Sequence, residues 1–63
     1  MQFNEGDLVR FLPEYALENQ GEYTVIEVHG DLNMVSLLIS EDEYVLVSNH
    51  MIRKNNLNLF VLH

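Results

Sequence analysis

Apolar residues fall at i, i+3, i+4 and i+7 once along this chain, at Leu8, Phe11, Leu12 and Tyr15. Pro13 interrupts them there, and no stretch sustains that repeat. Short runs rich in Val, Ile, Leu, Tyr and Phe recur instead, each closed by turn-forming residues. They read DLVRFL (7–12), EYTVIEVH (22–29), MVSLLI (34–39), YVLVS (44–48) and LNLFVL (57–62). A chain without the helical period cannot present the continuous apolar stripe that a helix needs to pack. Runs this short that alternate with period two, separated by turns, imply antiparallel strands. The expectation is an all-β domain of about five strands.

The punctuation supports this reading. Glu5-Gly6 leads into the first run and Pro13 ends it, since proline cannot donate to a sheet ladder. Residues 13–21 are polar around Tyr15 and contain enough Ala, Leu and Glu for one helical turn. Gly21 closes the segment, and it reads as a loop. Gly30-Asp31-Leu32-Asn33 and Ser40-Glu41-Asp42-Glu43 carry tight-turn chemistry. Alternation then assigns faces: Ile26 and Val28 opposite Glu27, Val35, Leu37 and Ile39 opposite Ser36, and Val45 and Val47 opposite Tyr44 and Leu46. With Val9, Phe11 and Met51, the inward set makes a core for a small closed sheet.

Size makes that core indispensable. Sixty-three residues form one domain, 1–63, near the lower limit for folding without staples, and there is no cysteine to supply one. The opening MQFNEGD has neither a basic segment nor an apolar one, and no apolar run is long enough to span a bilayer, so a cytoplasmic protein is expected. Ten acidic residues face only Arg10, Arg53 and Lys54, a net charge of −7. Phosphate backbones and anionic lipid heads repel such a chain, so neither nucleic acid nor membrane is an expected partner.

The stretch VSNHMIRKN (47–55) interrupts the alternation. Ser48 and Asn49 are residues that start turns by bonding nearby backbone groups, and His50 and Met51 fill one short helical turn. In this it resembles the helical step before the last strand of SH3 domains, and EGDLVRF resembles the first strand of bacterial SH3-like and KOW-type barrels. The resemblance covers about residues 3–54 and implies a small SH3-like barrel with a short helical turn before its last strand, here taken as 57–62. The tryptophan and the aromatic pair that bind proline-rich peptides are missing, and the groove tyrosine of the helical step is His50, so that activity does not carry over. Small acidic barrels of this kind also resemble accessory proteins of phages and mobile elements.

Chemistry-bearing patterns are sparse. His29, His50 and His63 lack metal-ligand spacing, the glycines form no phosphate-cradling loop, and no nucleophile motif occurs. The expectation is therefore no enzyme, no cofactor and no metal. Two surface features remain. Glu41-Asp42-Glu43 is either a solvated gatekeeper beside YVLV or an anionic knob for a basic partner. Apolar residues make up 48% of the chain, more than alternation can hide. Tyr44 and Leu46 are left facing out, and 57–62 either closes the barrel or pairs with another chain, including a second copy of this one. The candidate partner-binding residues are Tyr15, Glu41, Asp42, Glu43, Tyr44, Leu46, His50 and Phe60. The leading function is a non-enzymatic protein-binding module, a small regulator or inhibitor. The alternatives are an acidic decoy that mimics nucleic acid and a structural subunit of a homo-oligomer.

Overall fold

A computed structural model of the chain describes residues 2–55. The elements are β1 (Leu8–Phe11), α1 (Pro13–Ala16), β2 (Tyr23–His29), β3 (Met34–Ser40), β4 (Glu43–Ser48) and β5 (Ile52–Lys54). Single 3-10 turns lie at Gly30–Leu32 and Asn49–Met51. All strand pairs are antiparallel in one sheet of order β4-β3-β2-β1-β5. The all-β class, the strand number and the short helical turn before the fifth strand agree with the sequence reading.

Two element assignments differ. The fifth strand is Ile52–Lys54, which follows the 3-10 turn directly and pairs with β1, whereas the sequence pattern placed the last strand at 57–62. Those residues, with Phe60, lie outside the described part of the chain. The segment after Pro13 contains a helical turn, because proline at its first position sets φ and lacks only an N–H that no turn would use. Ala16, in that turn, is buried in the core.

The start of β1 is set by the turn Asn4–Asp7. Gly6 takes φ +92, a conformation that side chains resist. The Gly6 amide donates to Val25 at 2.8 Å, and the Val25 amide donates to Asp7 at 2.9 Å, registering β1 against β2. Strand β1 then alternates strictly, with Val9 and Phe11 in and Leu8 and Arg10 out.

A bulge in β2 revises the expected faces. Val25 pairs with Leu37 and Glu27 with Ser36, so Ile26 is an extra residue and both Ile26 and Glu27 stand against Ser36. Ile26 is consequently exposed while Val25 is buried, the reverse of the simple alternation. A second shift between Leu38 and Ser40 leaves Ile39 half-buried. Buried side chains are Phe3, Val9, Phe11, Ala16, Val25, Val35, Leu37, Val47 and Ile52, with Tyr15, Tyr23, Val28 and Met51 packed against them. Met51 is thus a flank of the core, and Ile52 is the plug that follows the 3-10 turn.

Candidate functional site

Among the described residues, the sheet has two edges, β4 and β5, and they differ in length and covering. Strand β5 is three residues long. Strand β4 is six, and its first four residues are exposed. The β3–β4 register puts Leu38 opposite Tyr44 and Ser36 opposite Leu46 on the outer face. Tyr44 is 67% exposed and Leu46 51%, with Leu38 and Ile26 also exposed on that side. The outer face of β4 is therefore an apolar row beside a backbone edge that is unpaired among the described residues, the arrangement to which another extended chain can add. The two-residue turn Glu41-Asp42 heads the row, and the Ser40 hydroxyl donates to Glu43 Oε1 at 3.2 Å to brace it.

The sequence candidates fall into two groups. Glu41, Asp42, Glu43, Tyr44 and Leu46 run along β4 from its first end. Tyr15 and His50 meet beyond its other end, with ring centroids 5.8 Å apart and planes at 76°. His50 also pairs through Nδ1 with the Ser48 hydroxyl at 2.7 Å. The candidates therefore form two places and not a single site, one along the outer row of β4 and one at the turn that follows it.

Beside His50 lies an open groove of about 370 Å³ lined by Leu12, Asn33, Asn49, His50, Ile52 and Arg53. Two hydrogen bonds tie its Asn33 and Asn49 turns together. The Asn49 amide donates to the Asn33 carbonyl at 2.9 Å, and Asn49 Nδ2 donates to Asn33 Oδ1 at 3.3 Å. Asn33 adopts φ 60, ψ 39, the left-handed conformation that asparagine tolerates best after glycine. Asn49 Oδ1 is buried with no hydrogen-bond partner. Sequence reasoning assigned neither asparagine to a site. The signal available was the turn chemistry of Asn33 and Asn49, but it does not reveal that the two turns meet.

One further cluster carries chemistry-bearing groups. His29 Nε2 lies 3.0 Å from the Ser36 hydroxyl and 3.7 Å from Glu27 Oε1. The three residue types are those of a hydrolytic triad, but serine and carboxylate share one ring nitrogen here. A triad needs the carboxylate on the opposite nitrogen, to fix the tautomer while the first takes the proton. Ser36 is also buried, so the cluster reads as a polar tie that satisfies its hydroxyl. Among the described residues no group of three or more His, Asp or Glu side chains is gathered for a metal, and no helix is long and apolar enough to cross a membrane.

No protein-family model, curated protein or solved structure matches this chain.

Proposed function

We propose that the protein is a non-enzymatic binding module, a small regulator or inhibitor that holds an extended segment of a partner protein along β4. The observation that carries this reading is the uncovered β4 edge, where Tyr44 and Leu46 stand in one exposed row with Leu38. Strand addition would satisfy the free backbone groups of that edge, and alternate partner side chains would cover the row. Glu41, Asp42 and Glu43 at the head of the strand favour a partner with a basic residue there, and their charge repels acidic competitors. The small-barrel resemblance supports a binding role, because a sheet of this size offers few enclosed clefts for catalysis.

Affinity capture from lysate, followed by calorimetry on the captured protein, tests the reading. Wild type is compared with the pair Tyr44→Ser and Leu46→Ser and with the triple Glu41→Gln, Asp42→Asn and Glu43→Gln. The proposal expects the apolar pair to lose most of the affinity and the charge triple to lose less. It also expects modest weakening between low and physiological salt. If the charge triple abolishes binding, the apolar pair does not, and salt weakens binding steeply, the acidic decoy is the better account. Self-association in sedimentation that disappears in the apolar pair would instead make β4 an interface between copies of this chain.

A further inference from the structure

The three basic residues of this acidic chain are Arg10, Arg53 and Lys54, and all of them sit on β1 and β5. Lys54 is neutralised by Asp7, 3.5 Å away. The other two are not. Arg10 and Arg53 are direct cross-strand partners, and both are exposed. Hydrogen bonds on the same register, Leu12 amide to Met51 and Asn55 amide to Leu8, each 2.9 Å, fix that pairing from both sides. Residues opposite one another on antiparallel strands share a face with Cβ atoms about 5 Å apart, and like charges so placed destabilise the sheet. Ten carboxylates were available to relieve the repulsion, yet among the described residues neither arginine reaches one. The nearest carboxylate by register, Glu22, accepts instead from Asn55 Nδ2. Arg10 makes one contact, a long hydrogen bond of 3.4 Å to the Gln20 carbonyl.

Arg53 also lines the groove beside His50. The groove has apolar walls from Leu12 and Ile52, and polar lining from Asn33 and Asn49. We infer that Arg53, with Arg10 opposite it, binds the carboxylate of a polypeptide segment seated in this groove. The occupant is the C-terminal carboxylate of a short apolar segment. The Arg53 guanidinium fork lines the groove and matches one carboxylate, and Arg10 adds positive charge from the facing strand. The apolar walls take a neighbouring aliphatic side chain. A polyanion is disfavoured, because the −7 charge repels it beyond the two arginines. The groove lies where the 3-10 turn after β4 leads into β5, and the inference does not depend on the reading of the exposed β4 row.

The test is an NMR titration of the full chain with N-acetyl-dileucine, with its C-terminal amide, and with inorganic phosphate, alongside Arg53→Gln and Arg10→Gln. The free acid should bind at millimolar concentration or better, shifting the Asn49 side-chain amide and the arginine Nε signals. The amide should bind about ten-fold more weakly, and each substitution should cost a similar factor. Both variants should keep the wild-type Tm or exceed it at low salt, because each removes one of two opposed like charges. Equal binding of acid and amide, binding of phosphate alone, or a wild-type affinity in both variants would overturn the site. So would a clear fall in Tm for the substitutions, which would make the arginines part of the fold.

Discussion

Leu37 and Val45 face each other across the β3–β4 ladder on the same inner face, but Leu37 is fully buried and Val45 is 39% exposed. Both are branched aliphatics in alternating runs, and nothing in their immediate sequence separates them. The difference lies in their neighbours. Leu37 has β2 on one side and β4 on the other, with Val25 opposite it on β2. Val45 has β3 on one side and, among the described residues, no strand on the other. Alternation tells a residue which face it takes, and topology decides whether that face is covered.

The contrast is broken most severely at Val47, the one β4 side chain that is buried. Val47→Asp places an unpaired charge opposite fully buried Val35, at a cost of several kcal/mol or more. A single core of this size supplies about 3–5 kcal/mol in total. The variant should be unfolded by circular dichroism at 25 °C. If it melts cooperatively near wild type, the edge is looser than its burial implies.

Next in size is the pair that defines the comparison. Leu37→Ala should destabilise by about 2–5 kcal/mol, as deletions in packed cores do. Val45→Ala should cost less than about 1 kcal/mol, because much of the side chain is already in water. Equal losses in urea unfolding would show that something covers β4 in solution, the residues beyond 55 or a second copy being the two candidates.

Much of this fold was legible in the sequence because small sheets are built from local signals. Gly6, Gly30-Asp31 and Glu41-Asp42 marked the turns, and period-two runs marked β1 to β4 within a residue or so of their ends. The bulge in β2 was not legible. Ile26 and Val25 are equally suited to a core, and only the pairing with β3 selects between them. Phe3 and Ala16 were missed for a similar reason, since each lies outside an alternating run and is buried by the folding of the whole. Of the candidate site, the outward Tyr44 and Leu46 followed from alternation alone. The facing of Arg10 and Arg53 required knowing that β5 starts at Ile52, directly after the 3-10 turn, and that it pairs with β1.

Leu17 sharpens the comparison from the backbone side. Among the described residues it is the most exposed large apolar one, at 81%, so its side chain resembles those of β4 in contributing little to the core. Its backbone differs, because φ 49 with ψ −115 lies in a region that leucine resists and glycine accepts. Leu17→Gly should therefore stabilise by about 1 kcal/mol, the relieved strain exceeding the extra freedom of the unfolded chain. A loss of stability would mean that the leucine side chain has cover that its exposure does not reveal.

The smallest effect is expected where the apolar surface is largest. Tyr44→Ser and Leu46→Ser remove the two most exposed apolar side chains of β4, and each should change stability by no more than about 0.5 kcal/mol. Their cross-strand contacts with Leu38 and Ser36 are the only part of the fold they touch by register, and such pairs are worth a few tenths of a kcal/mol up to about 1. Their burial would matter only when another chain covers them, at about 1.5–3 kcal/mol for each large apolar side chain removed from water. The double variant should thus unfold like wild type in dilute solution while losing partner binding. Urea titrations at two protein concentrations decide the point. If wild type gains stability with concentration and the double variant does not, the row already serves an interface between copies. If the double variant is destabilised by several kcal/mol at the lower concentration, the β4 row belongs to the monomer's own core, and the contrast between Leu37 and Val45 no longer holds.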